Sequence, residues 1–221
     1  MTSPDFIFLR GVLVWGCLQA LVYSVTVLLT REGIPLHSSS LGFSVLVLRD
    51  AFFSALGLFL WSRTRHGAQF LKDRSIFPRM DSLGIISAAL LLLLYYFTLL
   101  LLGEASDDSS LMFAQRTWKT PLRLFFFILM QQVLSVGYLL DLCRDRFGSR
   151  TGVFYCSAIF SLSHLGAAAW STPLLALLLT GITFPTMLGW SLLRARFNSK
   201  YLPFCIHFGF YIIIILMRPF F

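Results

Sequence analysis

The stretch PLRLFFFILMQQVLSVGYLLDLCRDRFG, residues 121–148, decides the class of this chain. Residues 121–142 are almost wholly apolar, and the run closes on the basic turn Arg144-Asp145-Arg146. About 20 apolar residues are enough for a helix to cross the hydrocarbon core of a bilayer. Pro121 stands near the expected helix start, where a missing N–H costs no helical bond. The pair Gln131-Gln132 falls about ten residues in, which at ~1.5 Å per residue is close to mid-membrane. This segment therefore reads as a membrane span with a polar pair at its centre.

The rest of the chain agrees. Its 221 residues are 57% hydrophobic, 16% aromatic and only 13% charged, and the 23 Phe outnumber the 18 Lys plus Arg. A soluble domain carries roughly 25% charged residues, so an ordinary soluble fold, a disordered tail and a disulfide-rich scaffold are all excluded. Further apolar stretches run over 6–29, 41–62, 83–103, 151–170, 173–193 and 203–217, with Pro173 and Pro203 near two of the starts. The fold class is thus all-α: a polytopic transmembrane helical bundle of about seven spans. An eighth element near 109–119 is too short and polar to cross and reads as interfacial, with Trp118 and Lys119 at headgroup level. The chain 1–221 is read as a single integral-membrane domain, without an internal repeat.

The N-terminus lacks a basic segment before its first apolar stretch, so the first helix is expected to remain as a span rather than be cleaved. The loops 63–82 (Arg63, Arg65, Lys72, Arg74, Arg79), 143–150 (Arg144, Arg146, Arg150) and 194–200 (Arg194, Arg196, Lys200) hold most of the 18 basic residues. Seven spans put these loops on one side with the N-terminus, and the positive-inside rule makes that side cytoplasmic. The net charge of +8 is accounted for by topology and anionic lipid headgroups, not by nucleic acid. Cys17, Cys143, Cys156 and Cys205 have no C-x-x-C spacing and read as packing residues.

Polar side chains at membrane depth are costly and therefore functional suspects. They are Gln131 and Gln132, His164 in FYCSAIFSLSHLG, and His207 in YLPFCIHFGFY. On three different helices they could converge in one pocket. Equally, such groups contribute about 0.6–2 kcal/mol each as interhelical hydrogen bonds and can simply hold a bundle together.

The run QQVLSVGYLLDLCRDRFG, then FSLSH, then RARFNSKYLPFCIH, resembles the CAAX protease and bacteriocin-processing (CPBP) family of intramembrane endopeptidases. That family has E-E-x-x-x-R followed by Gly and a Tyr- or Leu-rich helix ending in a basic turn and F-G, then F-x-x-x-H, then a His shortly after a Pro. Here the matching residues are Gly137-Tyr138, Arg146-Phe147-Gly148, Phe160 to His164, and Pro203 to His207. The resemblance covers roughly 121–211, which would be the motif-bearing core. It implies catalytic positions at Gln131, Gln132, His164 and His207, with Tyr211 at the family's final polar position.

The departures bear on activity. Gln131 and Gln132 stand where the family has glutamates, one of them the general base, and Val136 stands at the arginine position. A carboxylate can take a proton from water near neutral pH, whereas a carboxamide cannot. Asp50, near the start of the second span, is expected to pair with Arg49, and Asp141 lies ~14 Å along the helix from the glutamines, too far to replace them. Ser135 is a weak candidate nucleophile, and two histidines without a Cys pair or carboxylate make a poor zinc site. No cofactor or metal is read from the sequence.

Several functions stay open. One is a catalytically impaired protease fold that binds a transmembrane or lipidated protein client amid membrane lipids. Another is an active, or deliberately silenced, glutamate-type endopeptidase, and a third is a small transporter. Bacterial cytoplasmic membrane and endoplasmic reticulum both suit the composition.

Overall fold

A computed structural model describes residues 3–32, 40–72, 85–90, 93–94, 119–169, 172–197, 199 and 201–217. Among them every regular element is helical: α1 Pro4–Arg31, α2 Ser40–Ser62, α3 Arg65–Lys72, α4 Lys119–Gln131, a π-helical segment Gln132–Leu139, α5 Leu140–Phe147, α6 Ser149–Ser163, a 3-10 turn His164–Ala169, α7 Pro173–Phe197 and α8 Leu202–Met217. Residues 85–90 and 93–94 are helical as well, and the rest of the expected 83–103 span lies outside the described residues, as does 109–118.

Among the described residues four helices are long and apolar enough to cross a membrane: Pro4–Leu28, Leu41–Ser62, Pro121–Phe147 and Pro173–Phe197. Their outward faces agree, with Leu48 69% and Leu174 68% exposed, a pattern that lipid rather than water would cover. The chain is an all-α integral membrane protein. Two further expected spans, 151–170 and 203–217, are helical too: α6 has 15 residues and runs into the 3-10 turn at His164, and α8 has 16 up to the last described residue.

Local sequence explains the helix ends. Ser3 Oγ accepts the Phe6 N–H at 3.2 Å, Asp5 sits in the first turn of α1 and Arg31 in its last, so both poles of the helix dipole are matched. Gly148, at φ 80°, makes the turn between α5 and α6, a backbone conformation that side chains with a Cβ resist. Pro185 lies inside α7 and cannot donate to the ladder. Hydroxyls gather just before it: Thr183 donates to Leu179 O at 2.8 Å, and Ser161 of α6 donates to Thr180 O.

The core is built from Trp15 and Leu18 of α1, Phe53 and Trp61 of α2, the π-helical segment, and Cys156 and Phe160 of α6. Asp5 bonds Arg146 at 2.5 Å, Phe8 packs on Phe147 at 5.1 Å, and His66 reaches Asp145 at 3.1 Å. The start of α1, the short helix α3 and the α5–α6 turn therefore lie at one end. Three local readings change. Residues 65–72, read as loop, form α3. Arg194, counted as a loop charge, belongs to α7 and is 5% exposed. Asp50 lies near the middle of α2 rather than its start, and its pairing with Arg49 holds at 2.6 Å.

Candidate functional site

Below Gln131 the helix widens. Leu140 N–H bonds Ser135 O, five residues back, and Gly137 O, whereas an α-helix would give it Val136 O. Arg194 supplies the difference: its Nη1 donates to Val136 O and, at 3.1 Å, to Gly137 O. Its Nη2 bonds both oxygens of Asp141 at 2.9 Å. Trp61 Nε1 donates to Asp141 Oδ2 at 2.6 Å, and its ring lies 4.8 Å beneath the Arg194 guanidinium. Gly137 permits the stack, since a Cβ there would stand 3.0 Å from Trp61 Cδ2. One ion pair and one indole thus hold the π-helical segment, a feature that often marks functional sites.

That segment begins with Gln132, whose Nε2 lies 3.1 Å from His207 Nδ1 of α8. Both are buried, at 8% and 2% exposure. His207 stacks on Trp190 of α7 with ring centroids 3.8 Å apart, and the Tyr211 ring lies 5.2 Å away on its other side. Three helical elements therefore converge on one amide–imidazole pair. A carboxamide can donate to Nδ1 or accept from it, so the pair is satisfied with a neutral ring.

Gln132 also borders an apolar cavity of about 590 Å³, walled by Trp61, Phe125 and Leu129 on one side and Phe204 and Phe208 on the other. The volume lies within the range of ligand pockets, roughly 300–1,000 Å³.

The other expected site residues are placed differently. Gln131 is half-buried and makes no hydrogen bond to any described residue. The His164 ring turns back on its own helix, with Nδ1 3.0 Å from Phe160 O and its edge on the Phe160 ring at 5.0 Å. No hydrogen bond or ring contact joins it to Gln132, His207 or Tyr211. Ser135 Oγ is buried without a partner, so no histidine reaches it. Among the described residues no three His, Cys, Asp or Glu side chains converge as a metal site, and none of the four cysteines is in a disulfide.

Neither candidate carboxylate approaches the pair. Asp141 is bound by Arg194 and Trp61, and Asp50 by Arg49. The arrangement can hydrogen-bond an occupant of the cavity through Gln132; among the described residues it brings no carboxylate to His207. Sequence reasoning missed Trp61, Trp190 and Arg194. The available signal was a basic residue and an acidic one, Arg194 and Asp141, near the same end of two spans. No family model, no curated protein and no solved structure matches the chain.

Proposed function

We propose that this protein is a degenerate relative of the CAAX-protease family that holds a hydrophobic segment or lipid chain of a membrane-protein client without cutting it. The observation that carries the reading is the Gln132–His207 bond at the wall of an apolar cavity, with no carboxylate of the described residues lining it. Gln132 and His207 are the residues that the first and third motifs align with the family's catalytic positions, and their contact supports the kinship. The carboxamide cannot act as a general base, and losing acid–base assistance alone typically lowers a rate by ~10²–10⁴. Of the rest of the aligned set, Tyr211 flanks the His207 ring and Gln131 precedes Gln132, while His164 bonds its own helix, away from the pair. The positive-inside rule places the basic end, with the N-terminus, in the cytoplasm.

The test uses the chain reconstituted in vesicles with a panel of transmembrane and prenylated peptides, each labelled for both binding and cleavage. The expected result is binding without cleavage, and binding weakened by a bulky change in the cavity wall such as Ala88→Phe. The double substitution Gln131→Glu and Gln132→Glu asks whether hydrolysis is recoverable. Robust cleavage by the unaltered chain would refute the binding-only reading. Absence of binding to every member of the panel would refute the client.

A further inference from the structure

Packing at the start of α1 leaves Arg10 over. Phe8 lies on Phe147 at 5.1 Å, and a Cβ at Gly11 would stand 2.5 Å from Leu142 Cδ1, so this stretch of α1 runs tight against α5. The Arg10 side chain is nonetheless exposed and makes no hydrogen bond or ion pair with any described residue. The acid at this end of α1, Asp5, is bonded to Arg146 at 2.5 Å. The 28 residues of α1 span ~42 Å against a hydrocarbon core of ~30 Å, so a centred α1 puts Arg10 ~3 Å inside the edge of that core. Its neighbours on the outward stripe are apolar, with Phe6 54%, Leu13 60% and Leu21 54% exposed, so lipid lies alongside it. A guanidinium in that position is costly without an anionic partner.

A second polar group lies below it. Tyr138 stands one helical turn deeper than Leu142, ~6 Å. Its ring is buried in the core at 7% exposure. Its hydroxyl keeps some surface and makes no hydrogen bond to any described residue. Among the described residues Arg10 is the charged group close enough to act on it.

We propose that Arg10 and Tyr138 hold the headgroup of one anionic phospholipid from the leaflet at the basic end, its phosphate on the guanidinium and a glycerol-ester oxygen on the phenol. Charge selects the headgroup: Arg63, Arg65 and Arg150 are exposed at the same end, and basic residues near a membrane surface favour anionic lipid. Depth selects the lipid itself. The ester oxygens of a phospholipid lie below its phosphate, in the order in which Tyr138 lies below Arg10, and an acyl chain then continues along Leu13 and Leu21. Inorganic phosphate offers an acceptor at one of the two depths only. An acidic peptide would bring unmet backbone groups into the hydrocarbon to reach the phenol. The site shares no residue with the Gln132 cavity and stands whether or not that cavity holds a client.

Cys17 provides the assay. It lies on the stripe of Arg10 and Leu13, seven residues deeper, and is exposed while the other three cysteines are buried. The full chain carries a fluorophore there, in dodecyl maltoside micelles, and is titrated with phosphatidylglycerol or phosphatidylcholine bearing a nitroxide on the acyl chain. Quenching should saturate, with phosphatidylcholine the weaker ligand. Arg10→Gln should weaken phosphatidylglycerol about fivefold, the equivalent of ~1 kcal/mol for one basic residue at a membrane surface. Arg63→Gln removes a charge that lies over the Phe59 ring at 4.9 Å and should change the affinity by less than about twofold. Tyr138→Phe should weaken both lipids about two- to tenfold, the range of one hydrogen bond. An ether-linked phosphatidylglycerol, which lacks the ester oxygens, should show the same loss on the parent chain and no further loss on Tyr138→Phe. Equal losses from Arg10→Gln and Arg63→Gln would reduce the site to diffuse attraction and overturn the proposal. So would indifference to Tyr138→Phe, quenching that never saturates, or its reversal by inorganic phosphate.

Discussion

Replacing Arg194 by methionine tests the central packing device most directly. Asp141 is completely buried and Arg194 is 5% exposed, so the substitution leaves a carboxylate inside the bundle with Trp61 Nε1 at 2.6 Å and Arg144 at 3.9 Å as its remaining partners. Removing one member of a buried pair costs about 3–5 kcal/mol, most of it the burden of the stranded charge. The Val136 and Gly137 carbonyls also lose a donor, worth about 1 kcal/mol each. The helix can recover part of that by rewinding so that Leu140 N–H returns to Val136 O. Rewinding would rotate Gln132 away from His207. A loss of about 4 kcal/mol is therefore expected, read from reversible SDS unfolding in mixed micelles by tryptophan fluorescence. Adding Asp141→Leu removes the stranded charge and should restore about 1–4 kcal/mol. A loss under about 1 kcal/mol, or a double variant no more stable than the single one, would show that the pair is not a buried, mutually dependent unit.

Gly137→Ala places a Cβ 3.0 Å from Trp61 Cδ2 and 3.1 Å from Cε3. It should cost about 1–3 kcal/mol by overpacking, with a change in tryptophan emission as the ring yields. Gln132→Leu and His207→Leu each strand the partner's polar atoms, at about 1–3 kcal/mol apiece. Their double variant should fall short of the sum by at least about 0.5 kcal/mol; strict additivity in the same unfolding assay would mean that the 3.1 Å contact carries no coupling. Asp5→Ala breaks a pair whose side chains are 71% and 38% exposed. It should leave stability within about 0.5 kcal/mol of the parent, and a larger loss would mean that the α1 start is held by that one bridge.

The spans were legible where composition alone fixes them. The stretches 6–29, 41–62, 121–142 and 173–193 become helices with the same centres, because a long apolar run has no other way to satisfy its backbone in lipid. The pairing of Arg49 with Asp50 was legible for a different reason, since adjacent opposite charges in an apolar helix have few other partners. The ends were less readable. At His164 the α6 ladder tightens into a 3-10 turn, and nothing in SLSHLG announces it. The widened turn at Gln132–Leu139 was invisible because its cause is remote: Arg194 is 58 residues from Val136, and Trp61 is 80 from Asp141. Gln132 and His207 were found from their residue types and motif positions, but their direct contact needed coordinates. The division between His207, which joins the pair, and His164, which bonds its own helix, depends on ring orientation that spacing does not encode.

The buried charges explain why a neutral pair lies beside the cavity. Bringing an ion out of water is repaid only by a well-placed counter-ion and further hydrogen bonds. Asp141 has both, from Arg194 and Trp61. Asp50 has Arg49 of its own helix on Oδ1, and that arginine in turn bonds Val22 O and Thr26 of α1. A third carboxylate at position 132 would face His207 and a mostly apolar wall, since the one arginine lining that cavity among the described residues, Arg194, is already bonded to Asp141. It would hold a negative charge only by drawing a proton onto the imidazole or admitting water. Glutamine removes that demand. Its amide bonds a neutral His207, so an apolar occupant has no ion pair to separate or desolvate there. A neutral side chain at position 132 thus leaves the cavity a better place for a hydrophobic chain to stay than a carboxylate would.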